Sequence, residues 1–200
     1  MTKVKDRDVQ IVGGYQKLDS AQDTPPDSVV FGTETDTMRC VIMLFPIELD
    51  KTMPYEKQKK VIDSIHQCLN DGQGLIEVET GKTKNGLKFV YSIVKTKLEQ
   101  FGVQYTLRAH VDHPNGPIEI LAFFEESGTT GLRDSVVYTI ARKQNLVDQN
   151  MKGWMKDPYT PSYNKGLLMN LSEQRKFDQH FPGHPLTELR KYIDFFIENN

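Results

Sequence analysis

The chain has 200 residues, of which 38% are hydrophobic, enough for a large domain to bury a core without disulfide or metal support. Its 25 basic and 27 acidic residues give a formal net charge of -2, so bulk charge does not favour binding to nucleic acid or to an anionic membrane. The two cysteines, Cys40 and Cys68, are too few for a disulfide framework or a thiolate zinc site and suit small buried hydrophobes in a reducing compartment. No apolar run has the length of a signal peptide or a membrane span, so we expect a soluble cytoplasmic protein.

Residues 1–37 predict a peripheral N-terminal arm. Apolar residues are sparse there, and Pro25 and Pro26 stand among Thr, Asp and Ser, a composition that buries little surface. Short apolar patches at Val9–Val12 and Val29–Phe31 are typical of edge strands or of clasps on the body of the protein.

Residues 38–144 predict an α+β sandwich core. The apolar run from Cys40 to Phe45 predicts a buried strand, and Thr52 with Pro54 opens a helix over about residues 53–70. Four further strands are predicted at residues 75–80, 87–97, 103–111 and 118–125, with turns at Asn85-Gly86 and Asn115-Gly116. A second helix is predicted because apolar residues recur at helical spacing up to about Gln144: Leu132, Val136, Val137, Ile140 and Ala141. The fold class is therefore an antiparallel meander flanked by helices, an α/β/α arrangement.

Residues 145–200 predict an aromatic loop and C-terminal helices that pack on the same domain. Asn170 with Glu173 or Ser172 can cap a short helix that runs to about Gln179, and Pro185 opens the final helix.

One candidate metal site lies at the end of a predicted strand. His110, Asp112 and His113 are residue types that suit zinc or iron in a small metal-dependent hydrolase. In a strand, however, His110 and Asp112 share one face while His113 points to the other. The alternative is that they are ordinary polar residues at a hairpin end, and our prediction is no metal, no other cofactor and no catalytic residue.

A candidate anion site lies at Gly128–Gly131, where Gly-Thr-Thr-Gly opens the second helix. Free amides at a helix start can hold a phosphate or a carboxylate. The alternative is that Thr129 or Thr130 caps the helix internally.

The segment with a composition typical of recognition contains Trp154, Tyr159 and Tyr163 together with Lys156. Aromatic side chains with basic neighbours are typical of a partner-binding hot spot. The alternative is that the segment packs over the sheet as a lid with its aromatic rings buried.

The order of strand, helix, four-stranded meander and helix over residues 38–144 resembles the PsbP-like α/β/α sandwich. The resemblance implies this fold and a role as an accessory or binding module, because proteins of that architecture mostly lack catalytic residues. Residues 178–186, including the run from Phe181 to Leu186, also resemble a stretch that recurs in uncharacterised bacterial proteins. Together these observations favour a non-catalytic protein-binding module of accessory, adaptor or immunity type, with a protein as its partner, recognised by a sheet face or by the loop at residues 150–166.

Overall fold

A computed structural model describes residues 1–100 and 102–200. In this part of the chain it contains a seven-stranded antiparallel sheet, a separate two-stranded hairpin, three α-helices and three short 3₁₀ helices. The α+β class predicted from the sequence is confirmed. None of the helices in the described residues is both long and apolar enough to cross a membrane.

The elements have the following bounds. The hairpin consists of β1 (Thr2–Val4) and β2 (Arg7–Val9). The sheet consists of β3 (Gln16–Leu18), β4 (Val29–Glu34), β5 (Met38–Pro46), β6 (Gln73–Lys82), β7 (Lys88–Lys97), β8 (Val103–Val111) and β9 (Ile118–Glu126). The α-helices are α1 (Gln58–Cys68), α2 (Leu132–Lys143) and α3 (Pro185–Asn199), and the 3₁₀ helices are Leu49–Lys51, Leu171–Glu173 and Arg175–His180.

The spatial order of the sheet is β3-β4-β5-β9-β8-β7-β6. Strands β6 to β9 form the meander expected from the alternating apolar residues and the Asn-Gly turns, and β5 joins it by pairing with β9. The predicted N-terminal arm supplies β3 and β4 at one edge of the sheet.

Successive residues of a strand point to opposite faces of a sheet, and this separates two helical layers. Val90 of β7 packs with Val61 and Ile62 of α1. The next residue, Tyr91, belongs to the large core cluster that also contains Leu189 of α3. Helices α1 and α3 therefore cover opposite faces of the sheet.

Helix α1 is shorter than predicted because Met53 is tied to the sheet and the chain makes a turn from Pro54 to Lys57 before the helix begins. The backbone N–H of Met53 donates to Nδ1 of His110 in β8 (2.7 Å). The Thr52 hydroxyl donates to the Leu49 carbonyl (2.8 Å), so it closes the preceding 3₁₀ turn and does not cap α1. At the other end of α1, Cys68 is exposed, so the expectation that it is buried is wrong, whereas Cys40 is buried in β5.

Helix α2 packs on the C-terminal segment and not on a sheet face. Its buried residues Val137 and Ala141 form a separate apolar cluster with Val147 and Trp154. The sheet face opposite α1, which the sequence suggested for this helix, is covered by α3.

Candidate functional site

Trp154 does not lie on the surface as a partner-binding residue would. Its side chain is 7% exposed, and its ring meets that of Tyr138 on α2 edge to face with centroids 5.2 Å apart. The expected exposure of Trp154 is therefore wrong. The ring is buried, as the lid alternative expects, but it packs against α2 and not over the sheet.

The two tyrosines of the same segment fasten it to the rest of the protein. The hydroxyl of Tyr159 accepts from the backbone N–H of Val78 in β6 (2.6 Å) and donates to the Val78 carbonyl (3.0 Å). The ring of Tyr163 stacks on His66 of α1 at 3.9 Å. Both tyrosines are thus partly buried by contacts within the protein, whereas Lys156 is exposed to solvent.

The structure does not bring His110, Asp112 and His113 together. His110 is buried on the α1 side of the sheet, whereas Asp112 is exposed. Partial burial, together with the nearby charge of Arg7, lowers the pKa of the His113 imidazole. Among residues 1–100 and 102–200, no group of three or more His, Cys, Asp or Glu side chains is placed to hold a metal ion.

His110 instead belongs to a polar chain on the sheet. Because its Nδ1 accepts from Met53, a neutral ring carries its proton on Nε2. Nε2 lies 3.3 Å from Oε2 of Glu119 but is not aligned for a hydrogen bond. Burial acts to raise the pKa of Glu119, but His110 and the guanidinium of Arg108 outweigh it and hold this pKa below its ordinary value.

The amide of Gly131, the last residue of the candidate anion site, already contacts an internal carboxylate. The N–H of Gly131 donates to Oε1 of Glu126 (3.1 Å), and the other carboxylate oxygen accepts from the N–H of Val103 (3.1 Å). Gly131, at the start of α2, receives no side-chain cap, so neither Thr129 nor Thr130 has the capping role that was the alternative. The Glu126 carboxylate occupies the position that an external anion would need.

A buried arginine sets the orientation of α2. Arg133 is 1% exposed and donates to the Ser172 carbonyl (2.8 Å), the Thr187 hydroxyl (3.1 Å) and Asp178 (2.8 Å). A buried guanidinium needs such partners, because leaving its donors unpaired costs several kcal/mol. This requirement fixes which side of α2 faces the protein.

The same ion-pair network continues to the sheet. Arg190 of α3 contacts Asp178 (3.1 Å) and Glu77 of β6 (2.9 Å), and Arg175 also contacts Glu77 (2.6 Å). Burial acts to raise the pKa of Glu77, but these two arginines together with Tyr91 hold it below its ordinary value. The network therefore links α2, α3 and the sheet through a continuous series of ion pairs.

The outward side of α2 is a stripe of three large apolar residues, the α2 stripe. Leu132, Val136 and Ile140 are 57%, 40% and 43% exposed, and their spacing of four places them on one face of the helix. The inward face, at Arg133, Val137 and Ala141, carries less apolar bulk. Three more exposed apolar residues follow in the segment that packs on α2: Leu146, Met151 and Met155.

The sequence does contain a signal for this surface, which the sequence analysis missed. Apolar residues in the second helix occupy two adjacent stripes, and one of them contains an arginine at its first position. A helix at the edge of a fold packs against the protein on one side, so only one of these two stripes can be buried. Which one does so depends on the acceptors Ser172, Asp178 and Thr187, which lie at least 39 residues away.

A scan against protein-family models finds no match for this chain. A comparison with curated proteins also finds no significant match.

Proposed function

We propose that this protein is a non-catalytic protein-binding module whose docking surface is the α2 stripe. The observation that carries the proposal is the orientation of α2. Its larger apolar stripe faces solvent while a fully buried arginine faces the protein. Exposed apolar side chains grouped on one element are typical of interaction sites, whereas scattered ones are ordinary.

The surroundings of the α2 stripe suggest the chemistry of the partner. Met151 and Met155 add flexible apolar side chains, which adapt to different partner surfaces. Lys143, Lys152 and Lys156 are exposed in the same two segments. The complementary partner surface is an apolar groove with carboxylates at its rim, and α2 binds in it as a helix-in-groove contact.

The experiment that tests this function is affinity capture from host lysate with three forms of the protein: wild type, Val136→Asp and Thr139→Asp. Both positions are exposed on α2, but only Val136 belongs to the α2 stripe. We expect a defined partner to be retained by wild type and by Thr139→Asp and to be lost from Val136→Asp, because a carboxylate in an apolar contact is left unpaired.

Retention of the same partners by Val136→Asp would contradict the proposed surface. If wild type and Val136→Asp retain no protein above background, the binding function itself is contradicted.

A further inference from the structure

A groove of about 430 Å³ lies between α1 and strands β7 and β8, on the opposite side of the sheet from α3. Its volume falls in the lower part of the range of roughly 300–1,000 Å³ that is usual for small-molecule sites. The groove is formed by Lys51 and Met53 of the segment before α1, by one side of α1 and by the sheet. It is separate from the α2 stripe.

One part of the groove is apolar. Met53, Ile65, Leu69 and Val94 all line it and are all partly buried. These side chains come from three different elements, so the apolar wall is a property of the fold and not of one helix. A hydrocarbon chain placed against this wall would be removed from water.

The other part of the groove is polar and cationic. Arg108 and Lys51 line it, and no Asp or Glu is among the described residues that do so. Arg108 contacts Glu119 through Nε (2.9 Å), so part of its charge is compensated by a carboxylate that does not line the groove. Lys51 pairs with Glu48 only in a highly exposed contact, and such pairs contribute little and exchange readily.

The groove also contains a buried polar group that lacks a hydrogen-bond partner. His110 lines the groove and is 3% exposed. Its Nε2 has no hydrogen-bond partner among the described residues. Because Oε2 of Glu119 already lies 3.3 Å from this nitrogen, His110 adds polar surface to the groove, and Arg108 and Lys51 are the cationic groups that an anion would meet.

We propose that this groove binds an organic monocarboxylate with a medium-length hydrocarbon chain. The carboxylate lies at the cationic end, near Arg108 and Lys51, and the chain lies along the apolar wall of Met53, Ile65 and Leu69. The absence of lining carboxylates in the described residues favours an anion over a cation. The apolar wall favours a carboxylate with a chain over a bare inorganic anion.

The thiol of Cys68 can report whether a ligand is bound in the groove. Cys68 lines the groove and is exposed, whereas Cys40 is buried and burial raises the pKa of its thiol to about 11. A thiol reagent that needs the thiolate therefore modifies the folded protein first at Cys68. A ligand in the groove covers Cys68 and slows this reaction.

The test uses three probes: octanoate, 1-octanol and acetate. Octanoate has both the charge and the chain, octanol has the chain alone, and acetate has the charge with almost no chain. We expect saturating octanoate to slow the modification of Cys68 at least fivefold and to give a measurable dissociation constant by titration calorimetry. We expect octanol to bind at least tenfold more weakly than octanoate and acetate to have no effect. The Cys68→Ser variant identifies the labelled thiol.

Two variants on α1 locate the site. Ser64 lines the groove, whereas Gln67 is exposed on the same helix and does not. Ser64→Trp fills the groove and is expected to weaken octanoate binding at least tenfold, while Gln67→Trp leaves it unchanged.

Three results would each overturn the proposal: no binding or protection by octanoate, equal binding of octanol and octanoate, or equal binding by the two tryptophan variants. None of these results bears on the α2 stripe, so the two proposals stand or fall separately.

Discussion

Lys95 and Glu173 form an ion pair that is almost completely buried. Their side chains are 3% and 1% exposed, with Nζ and Oε2 2.7 Å apart. The carboxylate also accepts from the hydroxyl of Tyr105 (3.1 Å) and from the backbone N–H of Asn170 (2.7 Å). Each buried charge thus has its partners, and the C-terminal segment is attached to the sheet through them.

Glu173→Gln is expected to lower the free energy of unfolding by about 3–5 kcal/mol, because it leaves the Lys95 ammonium buried without an opposite charge. The matched control is Asp63→Asn, which breaks the exposed pair of Asp63 with Lys59 and is expected to cost less than about 1 kcal/mol. Urea unfolding of the three proteins measures both changes. Equal decreases in the free energy of unfolding of the two variants would contradict a larger stabilising contribution from the buried Lys95–Glu173 pair.

Glu126 makes the stability depend on pH. Burial acts to raise the pKa of this carboxyl, but His184 and the amides of Gly131 and Val103 outweigh it and hold the pKa below its ordinary value. A group with a lowered folded-state pKa contributes stability above its unfolded pKa and loses it as the pH falls through the folded pKa. The stability advantage of wild type over Glu126→Gln is therefore expected to be greatest above about pH 4.5 and to decline below it.

Urea unfolding of both proteins between neutral pH and about pH 3 measures this difference. An advantage of wild type that stays constant, or that grows as the pH falls, would contradict the assignment of the lowered pKa to Glu126.

At the residue scale, local partners are predictable from sequence and distant ones are not. The cap of Asn170 with Glu173 is confirmed, because its two residues are three positions apart. The single helix predicted to run to about Gln179 is wrong, because Gln174 is extended and separates two short 3₁₀ helices. Lys95 lies 78 residues from Glu173, and nothing in the local sequence joins them. Likewise, the sequence places His110 and Asp112 on one strand face. It does not show that Nδ1 of His110 accepts a hydrogen bond from the backbone N–H of Met53.

At the scale of the element, α2 shows how a polar anchor can decide the orientation of an amphipathic helix. Its apolar residues at helical spacing predicted the helix correctly. They did not predict which residues are buried, because Val136 and Val137 belong to two adjacent stripes. The buried side follows from the partners of Arg133 in the C-terminal segment.

Adjacent valines on α2 give a direct test of this orientation. Val137→Asp is expected to lower the free energy of unfolding by about 3 kcal/mol or more, because it places a carboxylate in the cluster around Trp154. Val136→Asp is expected to change it by less than about 1 kcal/mol, because this side chain is 40% exposed. Urea unfolding distinguishes the two. A large loss in Val136→Asp would mean that the α2 stripe is part of the core.

The strands were more predictable than the helices. The bounds of β8 and the start of β9 agree with the sequence prediction, because alternation in a half-buried strand is a strictly local signal. The start of α1 was misplaced by several residues because the contact of Met53 with β8 competes with helix formation. Long-range contacts of this kind override a local preference for a helix.

At the scale of the whole molecule, the predicted α+β class is confirmed, but the layers are assembled differently from the expectation. The sequence predicts both flanking helices within residues 38–144, whereas α3 covers one face from outside that range. Residues 145–200 are thus integral to the core. The PsbP-like resemblance rests on element order alone and stays a prediction.

This assembly leaves α2 free of the sheet and gives the molecule its proposed binding surface. Helix α3 occupies the sheet face, the Arg133 network holds α2 on the C-terminal segment, and the α2 stripe is left outside.

The most direct test of this account is photo-crosslinking inside the host cell, with a benzophenone amino acid in place of Val136 or, as the control, in place of the exposed Lys59 of α1. We expect a discrete covalent adduct with another protein from position 136 that is absent from position 59. Irradiation that gives no adduct from position 136, or the same adducts from both positions, would contradict the assignment of the α2 stripe as a docking surface.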